Sequence, residues 1–350
     1  MQAALIFAAM ALMPVSTYAE DYSKQFSAEL QKKMEVHNGR LRQTRNPPIE
    51  VQRPYVEYEK AGYLIFSDQT LFDSIAAKRT MAENLPDHMK LIVYTDRPNI
   101  FNIASIRNEY ERYVGDRLII LKTQSGGFWA RDGVPIPVID SEGDLAVVDA
   151  RYYRGFESDS VFADKFAAQM PKHDYYFEGG NFIADLNGRC LTVNNSRVEK
   201  IPDSIFYDYY GCQSIHRLRH LSGIGHIDEV IKIIDDEHAI TDKREYVAEL
   251  ESLGYEVTMI AEASNPYETY VNSVVLGNKI MMPSFSRAAD DAAKQVYEGF
   301  GYEVYKVDSY RLSNYGTGSL HCITMTYPPT PVHKLVKRLS ASILFDGTKK

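Results

Sequence analysis

Apolar and polar positions alternate in short blocks along most of the chain. Strand-length apolar runs at 63–66, 90–94 and 117–122 are separated by stretches that read as helices at 71–84 and 101–113. That alternation predicts an α/β fold. In the second half the pattern becomes a repeat. A strand at 230–234 turns through Asp235, Asp236 and Glu237 into a second strand at 238–240; a helix over 243–253 stops at Gly254, and a third strand opens at Tyr255. The same order returns with 273–276, a Gly277-Asn278 turn, 279–282, a helix over 290–300, Gly301 and a strand from Tyr302. The tetrapeptide Gly-Tyr-Glu-Val occurs at both 254–257 and 301–304. Each glycine sits just past a helix, where a left-handed residue ends it. A looser copy has strands at 145–148 and 175–177 around a helix at 160–170.

Units of hairpin, helix and strand at a fixed period predict radial or solenoid repetition within one domain. A doubly wound parallel sheet is the competing architecture, but its crossover units contain no hairpins. The core is expected to run over 54–335. A polar extension over 20–53 precedes it, with a helix at 27–38 and a linker through Pro47 and Pro48, and a tail over 336–350 follows.

The first residues carry a different pattern. Ala3 to Pro14 is apolar but too short to span a bilayer, and Thr17 and Ala19 precede a cleavage point at Glu20. This reads as a secretory signal peptide over 1–19, without the usual basic residue near its start; a buried N-terminal helix is the alternative. Export is therefore expected.

Composition adds little about the fold. The 350 residues are 45% hydrophobic and 25% charged. A net charge of −8 disfavours nucleic acid as the main partner and is compatible with a cationic one. The cysteines are Cys190, Cys212 and Cys322. An odd count in an exported chain implies a free thiol or an intermolecular bridge. Pairing of Cys190 with Cys212 would leave Cys322 free; three separate thiols is the other possibility. No Cys/His cluster has zinc-ligand spacing, and no calcium-loop motif occurs.

Four polar clusters interrupt the repeats at strand ends. Phe128-Trp129-Ala130-Arg131-Asp132-Gly133 places a carboxylate beside the single tryptophan, a combination suited to a flat cation; a capped turn is the plainer reading. Phe177-Glu178-Gly179-Gly180-Asn181 puts a glutamate before two glycines, as a tight turn also would. Gly225-His226-Ile227-Asp228-Glu229 leads into a strand, and in extended chain His226 and Asp228 face one side. Gly316-Thr317-Gly318-Ser319-Leu320-His321-Cys322 sets a cysteine after a glycine-rich turn, with Asn272 in Tyr270-Val271-Asn272-Ser273 as a helper. A buried structural thiol is the alternative for Cys322. Together the clusters offer a thiol, an imidazole and several carboxylates. Two carboxylates match the donor fork of a guanidinium, and a cation held there lowers the pKa of a nearby thiol.

These motifs, in this order, resemble those of the guanidino-group-modifying superfamily, and within it the bacterial peptidylarginine deiminase and agmatine deiminase family. The resemblance spans residues 54 to 330. It implies a five-bladed α/β propeller of pentein type with pseudo-fivefold symmetry and a central site. It implies that Cys322 attacks the guanidinium carbon, that Asp132 and Asp228 bind its nitrogens, that His226 is general acid then base, and that Glu178 orients His226. Trp129, Arg131, Asn272 and Arg154 complete the expected substrate contacts. Arg151 and Arg154, after Asp149, suit a substrate carboxylate, and a solvated basic pair on a Tyr-rich loop is the plainer reading of both. No cofactor or metal takes part. The product is a ureido group and the partner an arginine peptide or protein, or a small guanidino compound.

The glycine-rich loop lacks the three consecutive glycines typical of agmatine deiminases, and Glu229 stands where their pattern has asparagine. Both features favour peptidyl or free arginine. Agmatine deimination, amidino transfer to an amine acceptor, and non-catalytic guanidine binding are the other functions compatible with these residues.

Overall fold

A computed structural model describes residues 29, 31–42, 46–47, 49–123, 127–151, 172–262 and 265–349. Among the described residues five small sheets make up the fold, and four share one strand plan. An antiparallel hairpin is followed by a third strand parallel to the hairpin's second, and in three of the four a helix leads into that strand. Ile231–Ile233 pairs antiparallel with His238–Thr241, which pairs parallel with Glu256–Met259 after the helix Val247–Ser252. Val274–Leu276, Lys279–Ser284 and Glu303–Asp308 repeat this around the helix Ala289–Gly299. Ile183–Ala184, Arg189–Asn194 and Ser214–Arg219 do so around Asp203–Tyr210. In the fourth, Ile136–Asp140 and Leu145–Arg151 form the hairpin and Lys172–Tyr176 the parallel strand, with Val51–Pro54 added at the edge.

The fifth sheet closes the ring from both ends of the chain. Met325–Tyr327 pairs antiparallel with Tyr63–Ser67, which runs parallel to Lys90–Thr95 and then to Leu118–Lys122. This is a five-bladed α/β propeller. Its fifth blade is buried on both faces. Leu64, Phe66, Leu91, Val93, Leu118 and Ile120 pack on Met81, Ile106 and Tyr110 of the covering helices. Tyr63, Ile65, Ile92, Tyr94, Ile119 and Leu121 meet Met325, Leu335 and Leu339 on the other side. Alternation within uniformly apolar strands is what a two-sided sheet requires.

The repeated tetrapeptide has a structural cause. Gly254 and Gly301 have φ of 94° and 85°, which glycine adopts without steric cost. Gly254 N–H donates to Glu251 O and Tyr255 N–H to Leu250 O; Gly301 N–H donates to Glu298 O and Tyr302 N–H to Tyr297 O. Both helices thus end in the same two-bond cap, which turns the chain into the third strand.

Three boundaries differ from the sequence reading. The tail expected over 336–350 is folded: the helix Val332–Arg338 leads to the strand Ser342–Asp346, which pairs with Leu118–Lys122. The core begins before Pro54, since Val51–Pro54 already pairs with Ile136–Asp140, and the helix at 31–40 docks through Asn38, which exchanges hydrogen bonds with the Tyr176 backbone. The helix expected over 71–84 starts only at Ile75, because Phe72 and Asp73 have φ of 54° and 55°. Residues 1–19 and the helix expected at 160–170 lie outside the described residues.

What the ring positions is a set of turns. A short turn precedes the first strand of each blade's antiparallel pair: Ala130–Gly133, Gly179–Asn181, Ile227–Glu229, residues 270–272 and residues 320–323. Those five equivalent turns carry Asp132, Gly180, Asp228, Asn272 and Cys322.

Candidate active site

Gly180 marks where the turns meet. A Cβ added there would lie 2.7 Å from His226 Nδ1, 3.0 Å from Asp132 Oδ1 and 3.2 Å from Asp228 Oδ1. Two carboxylates and an imidazole therefore face one small space, which a side chain at 180 would fill. Gly180 N–H donates to Asp132 Oδ1 at 2.9 Å. Cys322 Sγ lies 3.8 Å from Asp228 Oδ2 and 3.3 Å from Asn272 Nδ2. Asn272 also accepts from the His321 backbone N–H at 3.0 Å, so its amide fixes the loop that carries the thiol.

The opposite side of the loop is set by Trp129. A Cβ on Gly318 would sit 2.8 Å from the Trp129 ring and one on Gly316 would sit 2.9 Å from Phe72 and 3.1 Å from Trp129. The indole thus lies against bare backbone beside Cys322. Phe72 stacks on Trp129 with centroids 6.1 Å apart, and Phe128 meets it edge-on.

His226 Nε2 lies 3.1 Å from Glu178 Oε2, and Glu178 is in turn bonded by Arg197. The other ring nitrogen, Nδ1, and Asp228 Oδ1 are buried with no hydrogen-bond partner among the described residues. Unpaired buried polar atoms are costly, and here they point into the space left by Gly180.

A sequence profile described as the Porphyromonas-type peptidyl-arginine deiminase family matches residues 73–328. The chain belongs to this family. It is accordingly a hydrolase of the deiminase type, acting on carbon–nitrogen bonds of linear amidines. A Streptococcus mutans protein assigned as an agmatine deiminase is 23% identical over 291 residues, covering 60% of this chain and 76% of that one. Among solved structures, the C. jejuni agmatine deiminase superposes with a TM-score of 0.66 at 17% identity, covering 83% of this chain and 99% of that one. A Porphyromonas gingivalis protein assigned as an arginine deiminase gives 0.64 at 18%, covering 78% and 97%. At these identities the superpositions speak to the fold.

The deiminase carries an unusual charge set at its centre. Burial alone would push the His226 imidazole down; Asp132, Glu178 and Asp228 outweigh it and raise it to about 10. Burial, with Glu178 and Asp228, raises Asp132 to about 6 against the pull of His226. Burial would also raise Glu178, but Arg197 and His226 prevail and bring it down to about 2. Asp228 is likewise held below the ordinary carboxylate range by His321 and His226 despite burial. The Cys322 thiol is pushed well up, first by burial and then by Asp228, Glu229 and Asp132. These surroundings favour the protonated imidazole of His226 and the uncharged thiol of Cys322 at neutral pH.

Two expected contacts are placed elsewhere. Arg131 does not face Asp132. Its guanidinium donates to Glu57 Oε1 at 3.0 Å, because successive residues of the short helix Ala130–Gly133 point in different directions. Arg151 pairs with Asp174 at 3.4 Å, and Arg154 lies outside the described residues. Three residues around the site escaped the motif reading, Glu57, Arg197 and Phe72, and Glu229 was read only as a mark of substrate class. Glu229 is buried, pushed well above the usual range first by burial and then by Asp228, and its Oε1 finds no partner among the described residues. His321 adjoins Cys322 in sequence, but its partners Asp228 and Glu57 lie 93 and 264 positions away. Only Arg197 left a trace, as a basic residue in an otherwise turn-like Asn-Asn-Ser segment.

Cys190 and Cys212 form a disulfide that ties the strand Arg189–Asn194 to the end of the helix Asp203–Tyr210, and Cys322 is free and buried. Among the described residues no group of three or more His, Cys, Asp and Glu is arranged to hold a metal ion, and no helix is long and apolar enough to cross a membrane.

Proposed function

We propose that the protein converts the guanidino group of peptidyl-arginine to a ureido group and ammonia, through a covalent thiouronium on Cys322. The convergence of His226, Asp132 and Asp228 around Gly180, beside a free cysteine, carries this reading. The guanidinium seats between Asp132 and Asp228, whose oxygens match its donor fork. Its charge offsets the carboxylates that keep the thiol up, so Cys322 releases its proton to solvent as substrate binds. The sulfur forms a bond to the guanidinium carbon. His226 gives its Nδ1 proton to one nitrogen, the carbon–nitrogen bond breaks, and ammonia leaves. The neutral imidazole then takes a proton from water as the oxygen bonds to the same carbon. The carbon–sulfur bond breaks, the hydroxyl proton passes to the departing sulfur, and the ureido product is released. Glu178, itself held by Arg197, keeps His226 turned so that Nδ1 faces the substrate.

The family description supports peptidyl-arginine. The agmatine deiminase assignment of the S. mutans relative supports agmatine as a second reading. Assaying ureido product with an arginine peptide, free arginine and agmatine decides between them: the proposal expects the peptide to turn over with the highest kcat/KM, and turnover of agmatine alone would overturn it. We also propose that the enzyme is exported. The Cys190–Cys212 bridge suits an oxidising compartment, and residues 1–19 carry the signal-like pattern. Fractionation of cells expressing the full chain tests this, with recovery in the cytoplasm at full length as the contrary result.

A further inference from the structure

Behind the reacting groups lies a second buried layer. His321 Nδ1 is 2.6 Å from Asp228 Oδ2, and its Nε2 is 2.8 Å from Glu57 Oε1. Lys232 Nζ donates to Glu57 Oε2 at 2.7 Å and to Ser273 O at 2.8 Å, and Arg131 donates to Glu57 Oε1. His321 is 1% exposed and Lys232 3%. A cleft reaches this layer past Tyr55, Ile136 and Thr326, and neither Cys322, His226 nor Asp132 lines it. Nothing in the proposed reaction uses Glu57, His321 or Lys232.

The geometry nevertheless ties them to it. Asp228 has two oxygens with different surroundings. Oδ2 is taken by His321, while Oδ1 is left facing the space where the guanidinium belongs. A carboxylate can turn about its terminal torsion, which is broad, so something must fix which oxygen faces the substrate. Only His321 holds Asp228 by a side-chain hydrogen bond of ordinary length among the described residues; the thiol contact is at 3.8 Å. His321 is in turn pinned at its far nitrogen by Glu57. Burial would raise the Glu57 carboxyl, but His321, Lys232 and Arg131 hold it well below the ordinary range.

We propose that His321 is the positioning residue for Asp228, with Glu57 fixing the imidazole so that Nδ1 donates to Oδ2 and Oδ1 is presented to the guanidinium. The proposal rests on the guanidine hydrolysis above. Asp228 is faced by His226, Asp132, Glu229, Cys322 and Arg131 as well as His321. Among these, His321 is the group whose hydrogen bond most favours the ionised carboxylate, so its loss moves Asp228 upward.

Two amides separate the halves of the idea. In His321→Asn the side-chain NH₂ falls near the position of Nδ1 and can still donate to Asp228. In His321→Gln it falls near Nε2 and serves Glu57 instead. Steady-state kinetics on an arginine peptide across pH, with thermal melting of each variant, is the test. His321→Asn is expected within about tenfold of wild type in kcat/KM. His321→Gln is expected to lose about a hundredfold, carried mainly by KM, the scale a misplaced binding group costs. Its acid limb of kcat/KM should move to higher pH, and Glu57→Gln should show a smaller shift in the same direction. Equal losses for the Asn and Gln variants at similar melting temperatures, with unmoved acid limbs, would overturn the positioning role. A wild-type enzyme that turns over no guanidino compound would instead sink the function on which it rests.

Discussion

The two buried layers at the centre of the propeller are built from the same kinds of side chain and treat them in opposite ways. In the layer of Glu57, His321, Lys232 and Arg131, one carboxylate is surrounded by donors: both Glu57 oxygens accept, from His321, Lys232 and Arg131, and of the buried atoms of these four side chains Arg131 Nε alone is left unpaired among the described residues. In the layer of Asp132, His226, Asp228 and Cys322, carboxylates crowd together, His226 Nδ1 and Asp228 Oδ1 are unpaired among the described residues, and burial with the nearby carboxylates pushes the thiol well up. A paired buried network fixes geometry. An unpaired one stores a cost that a ligand of the right charge removes. On the function proposed above, the unpaired layer is the one that binds and the other the one that holds, although both contain a histidine between carboxylates.

That contrast predicts opposite responses to losing a charge. The largest effect is on chemistry: His226→Gln should lower kcat by about 10²–10⁴-fold, the usual contribution of a general acid–base group, and should also lower the melting temperature near neutral pH, because it removes the cation that Asp132, Glu178 and Asp228 surround. Gly180→Ala should be nearly as damaging to activity, because its methyl would occupy the space 2.7 Å from His226 Nδ1; measured binding of guanidinium should vanish while the fold persists. Next comes stability. Lys232→Met leaves Glu57 short of a partner and should cost about 3–5 kcal/mol in denaturant unfolding. Asp132→Asn should do the reverse and stabilise the empty enzyme by about 0.5–2 kcal/mol while raising KM. If both substitutions destabilise equally, the two layers do not differ as described.

The smallest effect is a slope against pH. His226 has a folded value of about 10 against 6.5, so its stabilisation is full below about pH 6.5 and is lost as pH rises through 10. Asp132 is raised from 3.8 to about 6, so its ionisation costs stability, and that cost grows between those values. Glu178, lowered from 4.5 to about 2, acts in the other sense only at the acid end: its stabilisation is present above 4.5 and lost as pH falls through 2. Unfolding measured from pH 6.5 to 10 should therefore show falling stability in the wild type and a flatter line in His226→Gln. A wild-type profile that rises over that interval would contradict the charge assignment.

Much of this was legible in the chain because repetition writes local signals. The two Gly-Tyr-Glu-Val copies announce the same helix cap, and the cap fixes where the third strand begins. Four polar clusters could be read at strand ends, and their equivalence to one another, with the turn of Asn272 as a fifth, emerges only from the closed ring. What the pattern does not carry is direction and distance. Arg131 and Asp132 are neighbours, yet a single turn of helix sends one to Glu57 and leaves the other in the site. Glu57 meets His321 across 264 positions, and nothing local marks it. The strand Ser342–Asp346 is half exposed and lies at the edge of its sheet, so its short apolar run resembled a tail until Leu118–Lys122 gave it a partner.

The central claim is that Cys322 forms a covalent bond to a guanidinium carbon held by Asp132 and Asp228. Mass spectrometry of enzyme quenched in acid during turnover of an arginine peptide tests it most directly. An adduct on the peptide containing Cys322, absent from Cys322→Ala and accompanied by loss of ureido product in that variant, is the expected result. Undiminished product from Cys322→Ala would contradict the account.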